Sequence, residues 1–346
     1  MKGRVVCLDQ INGREAAALI VDGRLEDLLI DPPDEVVQPG AIYRAVADRP
    51  VKGQGGMFVK LPGGSGFLRQ VSGLAPGQRI IVQVTGPTEP GKAVPVTSRL
   101  LFKSRWAIVT PGAPGINVSR RIRDEEARVA LQTLAEEAMA GAPADHGLIL
   151  RSAAEGEDEA TVAEDILAMK DLAAAVVADL DGGPELLVDG PGAHEAAWRD
   201  WAEPAPDEVV EGGFSDHGIW EMIDTLRSPR VDLPSGGHMM VEPTRALIAV
   251  DVNTGPDTSP AAALKANVAA ARELPRQLRL RGLGGQVVVD FAPIPKKDRG
   301  TLDQVMKAAF RGEGEANLAG WTGLGLYEMT RKRDRLALSD LIGDSV

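Results

Sequence analysis

With a single cysteine, Cys7, the 346-residue chain can close no internal disulfide and build no cysteine-based zinc cluster by itself. Histidine is nearly as scarce: His146, His194, His217 and His238 are scattered without metal-ligand spacing and carry no assigned chemistry. No apolar run approaches the ~20 residues that cross a bilayer. The N-terminus, MKGRVVCLDQ, lacks an apolar block followed by a small-residue cleavage site. Together these absences predict a cytoplasmic protein without a membrane partner. Basic residues are also in deficit. Lys and Arg number 38 against 50 Asp and Glu, a formal charge of −12, which argues against a generally polycationic nucleic-acid binder. A local basic groove stays compatible with that total, because a partner feels charges within about 10 Å at ordinary salt.

Short apolar runs and glycine-rich turns are plentiful. From Met1 to about Gln38, RVVCLD, AAALIVDG and LEDLLIDPP predict three strands. From Pro39 to about Arg99, short β-branched and aromatic runs punctuated by glycine predict a small barrel or sandwich. LLFKSRWAIVTPG and HGLILRSAA read as strands. DEEARVALQTLAEEAMAG and the acid-faced DEATVAEDILAMKDLAAAVVADLDGG read as amphipathic helices. PELLVDG and AHEAAWRDWAEP add a strand and a helix. From Val231 onward, MMVEPTRALIAVDVN, SPAAALKANVAAARELPRQLRLRG and GGQVVVDF give strand, helix, strand. KKDRGTLDQVMKAAFRGEG and GLGLYEMTRKR complete an α/β block.

Two carboxylates stand out in that block. ALIAVDVNTG reads as a fully buried strand, yet it delivers Asp251, and GGQVVVDFAP delivers Asp290 in the same way. A strand–helix–strand order predicts a right-handed crossover with parallel strands, so the two acids leave the same end of one sheet, where ligands of open α/β sheets bind. Paired acids repel unless a cation lies between them, and magnesium accepts one or two carboxylates plus water and phosphate oxygens. Asn253, two residues on, falls on the side of Asp251. Strand-end acids also serve as plain caps, so the residues alone leave a metal site and a structural role both open. GPTEPGKA (Gly86 to Ala93) imitates a phosphate-binding loop, but ends in Ala where a hydroxyl is required and precedes strand-like VPVTSRLLF. Nucleotide hydrolysis is therefore not expected there.

The same segments carry a resemblance. RVDLPSGGHMMVEPTRALIAVDVNTG and RQLRLRGLGGQVVVDF resemble the catalytic region of the ribonuclease E/G family. RWAIVTPGAPGINVSRRI, GLILRSAA and the GMFVKL…GFL pair follow the family in order. The resemblance implies a mixed α/β and β chain of several subdomains. These are an RNase H-like subdomain (1–38, with a shortened second part at 182–228), an inserted oligonucleotide-binding barrel (39–101), a 5′-sensor region (102–181) and a DNase I-like α/β catalytic subdomain (229–346). It implies a magnesium-dependent endoribonuclease that hydrolyses single-stranded RNA to 5′-phosphate and 3′-hydroxyl ends in RNA processing or decay. Asp251 and Asp290 match the family's magnesium ligands and Asn253 the asparagine beside them. Phe58 and Phe67 match base-stacking aromatics, and Lys92 a lysine near the scissile region. Arg151 and Ser152, with Arg120 and Arg121, match the pocket for a 5′ phosphate.

Three departures accompany the resemblance. No cysteines of the family's zinc link are present and the chain stops at Val346, so no structural zinc and no zinc-joined dimer or tetramer is expected. Pro293 stands where the family commonly has another acid, and an arginine of the 5′ pocket is replaced near Asn317. The competing expectation is an RNA-binding protein on the same scaffold with weak or no catalysis.

Overall fold

A computed structural model describes residues 3–343 apart from 52, 54, 70–72, 90, 235 and 314. β1 (Arg4–Ile11), β2 (Arg14–Val21) and β3 (Arg24–Ile30) form the expected antiparallel meander. Asn12-Gly13 and Asp22-Gly23 make its turns with positive φ at all four residues, the pairing that two-residue hairpins favour. Five strands then close a barrel: β4 (Ile42–Val51), β5 (Gly56–Leu61), β6 (Gly64–Leu68), β7 (Arg79–Val84) and β8 (Val94–Thr97). The order is β4-β5-β6-β8-β7, and β7 pairs back onto β4. Met57, Val59, Leu61, Leu68 and Val82 fill its interior.

The next unit holds β9 (Phe102–Lys103), β10 (Ala107–Thr110), β11 (Gly115–Val118), α1 (Glu125–Ala138), β12 (Gly147–Leu150) and α2 (Glu159–Ala178). The single strand expected over LLFKSRWAIVTPG is instead a hairpin, because Ser104 to Trp106 turn the chain between β9 and β10. Asp124 and Asp158 cap the helices, their carboxylates accepting Ala127 N–H and Thr161 N–H. Each such cap stabilises its helix by about 1 kcal/mol.

β13 (Glu185–Val188), α3 (Ala193–Asp200), β14 (Glu208–Glu211) and α4 (Ile219–Arg227) follow. The sequence groups 182–228 as one unit, but β13 adds to barrel strand β4, while β14 pairs parallel with β1. Ala197 of α3, with Trp201 just after the helix, packs on Val6, Ala17 and Leu19. Ile219 and Ile223 of α4 pack on the other face, against Cys7, Ala18 and Ile20. Burial on both faces is why AAALI in β2 shows no polar alternation.

The last block contains β15 (Arg230–Asp232), β16 (His238–Pro243), β17 (Ile248–Asn253), α5 (Pro260–Leu280), β18 (Gly285–Asp290), α6 (Arg299–Ala309), β19 (Ala316–Trp321), β20 (Tyr327–Arg331) and α7 (Leu338–Ile342). Six strands run in the order β15-β16-β17-β18-β20-β19. MMVEPTRALIAVDVN is a hairpin rather than one strand: Thr244 Oγ1 accepts Leu247 N–H at 3.1 Å and turns the chain. Val250, Val252, Val287, Val289 and Tyr327 face α5 and α6. Burying each such side chain contributes roughly 1.5–3 kcal/mol. Gly282 ends α5 at φ 63°, with Leu283 N–H closing onto Leu278 O at 2.8 Å. A side chain there would also strike the Leu336 carbonyl. The mixed α/β and β architecture with its closed barrel is therefore the one expected. No helix among the described residues is long and apolar enough to cross a membrane.

Candidate active site

α5 carries the chain from β17 to β18, and the two strands lie parallel with Asp251 in register with Asp290. Neighbouring strands are about 4.8 Å apart, so the carboxylates stand side by side. One correction concerns burial. β17 alternates, with Ile248, Val250 and Val252 buried while Ala249, Asp251 and Asn253 are exposed or half-buried. β18 does likewise, Val287 and Val289 inward and Asp290 outward. Among the described residues, α5 and α6 pack on the buried face. The acids therefore project from the opposite, exposed face at the carboxyl end of the sheet.

Asn253 Nδ2 donates to Asp251 Oδ2 at 2.7 Å, which fixes one carboxylate oxygen and leaves the other available. Neither aspartate forms an ion pair among the described residues, and both are exposed. Glycine shapes the edge next to them. A side chain on Gly237 would strike the Asn253 carbonyl, and one on Gly255, held at φ 80°, would lie 2.6 Å from the Gly236 carbonyl. His238, without a role in the sequence reading, comes opposite Asn253 on β16. Recognising MMVEP and ALIAVDVN as separate strands would have revealed that neighbour.

No group of three or more His, Cys, Asp or Glu side chains suited to a metal occurs among the described residues. Two adjacent carboxylates with one oriented oxygen still fit magnesium, which keeps much of its water. They do not fit zinc, which takes three or four nitrogen, sulfur or oxygen ligands from protein. Pro293 is exposed just beyond Asp290 and adds no donor.

The barrel aromatics lie outside the barrel core. On β5, Met57, Val59 and Leu61 point inward and Phe58 outward; on β6, Leu68 points inward and Phe67 outward. Phe58 and Phe67 are directly paired, with ring centroids 5.4 Å apart, and the Arg49 guanidinium lies 5.0 Å from the Phe58 ring. Two half-buried rings beside a cation form a stacking surface open to solvent. Gly56 makes room, since a Cβ there would meet the Phe67 ring at 2.6 Å.

The remaining candidates lie away from the two aspartates and the barrel aromatics. Lys92 pairs with Glu89 at 2.6 Å, Glu89 with Arg333 at 2.6 Å, and Arg333 donates to the Gly284 carbonyl at 3.0 Å. That chain of contacts ties Lys92 to Gly284, at the end of β18 opposite Asp290. The structure does not bring it to the carboxylates. β11 and β12 run parallel, so Arg120 and Arg121 leave the same sheet end as Arg151 and Ser152. Arg120 and Arg121 are exposed on a turn. Arg151 is already engaged: it donates to Ser104 O at 2.7 Å, Arg199 O at 3.1 Å and Asp200 Oδ1 at 2.9 Å. Ser152 opens a short 3₁₀ turn, Ser152–Ala154. Around Arg151 positive charge is crowded; burial first, then Arg199, holds the Lys103 ammonium below the usual lysine range. Asn317 lies exposed on β19.

Comparison with known proteins identifies the family. The model of the ribonuclease E/G family matches residues 102–212 and 211–334. A ribonuclease E of Nostoc sp. is 29% identical over 392 aligned residues, covering 96% of this chain and 56% of that protein. A ribonuclease E of Synechocystis sp. is 28% identical, covering 95% and 57%. A ribonuclease G of Escherichia coli is 28% identical, covering 77% and 62%. The chain thus spans a little over half the length of these relatives. With most of its length matched by one family model, on either side of and including the two in-register aspartates, the chain belongs to the ribonuclease E/G family.

Proposed function

We propose that the chain is an endoribonuclease acting on single-stranded RNA in RNA processing or decay. The observation that carries this reading is the register of Asp251 with Asp290 on an exposed sheet face, in a chain of this family. Asp251 and Asp290 would hold one magnesium ion. When bound, that ion supplies charge neutralisation at the phosphoryl group and lowers the pKa of a bound water, giving 5′-phosphate and 3′-hydroxyl ends. Asn253 holds Asp251 in one orientation through its amide. Phe58 and Phe67 stack bases, each stack being worth about 1–3 kcal/mol with little sequence preference. The first sheet and α3 act as a frame for the barrel (39–101), the 5′-sensor region (102–181) and the catalytic block (229–346). Arg120 and Arg121 are the residues best placed to meet a 5′ phosphate, and Arg151 shapes that region through Ser104 and Asp200.

The test is cleavage of a 5′-monophosphorylated, AU-rich single-stranded RNA with magnesium, beside EDTA, Asp251→Asn and Asp290→Asn. Cleavage abolished in all three controls supports the reading. RNA retained by the wild type without cleavage assigns the chain to RNA binding alone.

A further inference from the structure

The outer stripe of α5 is basic in an acidic chain. Residues 261, 264, 265, 268, 272 and 276 recur at three- and four-residue spacing, so they share one side of the helix. They form one wall of a groove of about 1370 Å³, closed by β15, α4 and the β2–β3 turn. Its cations are Arg24, Arg230, Lys265, Arg272, Arg276 and Arg281; its acids are Asp232 and Glu273. Glu273 serves two arginines, Arg24 at 2.8 Å and Arg276 at 2.5 Å, while Arg230 pairs with Asp232 at 2.9 Å. Lys265 and Arg272 are exposed and form no ion pair among the described residues. Burial first, and Arg276 second, push the Arg281 guanidinium down to about 10, Glu273 offsetting part of this. Six cations against two acids leave a surplus of four positive charges, in a chain whose total is −12.

The groove also lies near the carboxylate edge. Asp232 pairs with His238, and His238 with Asn253, so the groove's β15 wall lies two strands from the site. The first turn of α5, which lines the groove with Ala261, follows the loop leaving Asn253. Along the helix axis Lys265 and Arg272 are about 10 Å apart, and Arg272 and Arg276 about 6 Å. Met222, Leu226, Leu233 and Val268 give the groove apolar walls against which ribose and base can rest.

We propose that this groove binds the sugar-phosphate backbone of single-stranded RNA beyond the cleavage point, with Lys265 and Arg272 as phosphate contacts. The inference rests on the ribonuclease reading above. An acidic polypeptide would match the charge equally, but the nearness of the Asp251 and Asp290 edge favours the substrate strand.

The experiment compares the wild type, Lys265→Gln/Arg272→Gln, and the charge-matched control Lys307→Gln/Arg311→Gln at and just after the end of α6. Binding in EDTA is measured with a single-stranded RNA of about 8 nucleotides and one of about 24, lengths around and beyond a single barrel's site. The expected result is about tenfold weaker binding of the long RNA by the groove variant. Its slope of log K against log salt should be shallower by about 1.4, two phosphates' worth for a single strand. The short RNA and the control variant should be unchanged. Equal loss on both lengths, or no loss, overturns the proposal. So does a polyglutamate peptide that binds the wild type and not the groove variant while long-RNA binding stays intact. A wild type that neither binds nor cleaves RNA overturns the ribonuclease reading itself, and a wild type that cleaves RNA without length-dependent binding overturns only the groove.

Discussion

Asp27 on edge strand β3 and Asp251 on inner strand β17 are both strand acids, and their surroundings are opposite. Asp27 is 7% exposed and saturated with donors. Arg335 reaches both its oxygens at 2.5 and 3.1 Å, Trp201 Nε1 donates at 3.2 Å and Leu28 N–H at 2.9 Å. Burial alone would raise its pKa; the charge and hydrogen bonds of Arg335 outweigh that and hold it below the usual carboxylate range. Asp251 is exposed, holds one amide bond and has another acid in register. A carboxylate whose charge is met by protein ties elements together, here the first sheet to the segment before α7. One whose charge is unmet is free to take a ligand.

The largest effect should come from the unmet pair. Replacing Asp290 with Asn is expected to lower cleavage by about 10³-fold or more, since metal stabilisation of phosphoryl charge is worth several kcal/mol. Thermal unfolding without metal should hardly move, which a melting curve checks. Asp27→Asn should reverse that pattern. It strands Arg335 beside a neutral amide and should cost about 3–5 kcal/mol in urea unfolding, with little change in turnover by the fraction that stays folded. pH separates the two further. Because the folded pKa of Asp27 is depressed, its contribution is complete above the ordinary carboxylate range and is lost as pH falls through the folded value. Wild-type stability should therefore fall more steeply with acid than that of Asp27→Asn.

Smaller effects probe the neighbours. Asn253→Ala should weaken magnesium activation by roughly 10- to 100-fold, as loss of a group orienting a ligand does, read as a rise in the half-activating concentration. Phe58→Ala or Phe67→Ala should each weaken RNA binding by about 1–3 kcal/mol, with unfolding free energy little affected because both rings lie outside the barrel core. Lys92→Ala should be the mildest for the chemical step. Its ion pair with Glu89 is exposed and worth under about 1 kcal/mol, and it sits at the far end of β18.

Much of this contrast is legible in the sequence, because local chemistry writes it. Asp124 and Asp158 announce their helices as caps, Asn12-Gly13 and Asp22-Gly23 suit tight turns, and a strand–helix–strand run before Asp290 dictates a parallel pair. What stays hidden depends on partners remote in sequence. Arg151 reads as a free phosphate ligand, yet its guanidinium is taken by groups 47 to 49 residues away. β13 follows its neighbours in sequence and still joins the barrel. The β16–β17 turn escapes because it is made by a threonine hydroxyl without glycine. ANLAGW, poor in β-branched residues, becomes β19 only through pairing with β20.

The most direct measurement is Mn²⁺ binding followed by electron paramagnetic resonance in the wild type, Asp251→Asn, Asp290→Asn and Asp27→Asn. One site displaceable by magnesium in the wild type and in folded Asp27→Asn, and lost in both other variants, is the predicted result. Equal binding in all four would contradict the assignment of the in-register aspartates as the metal site.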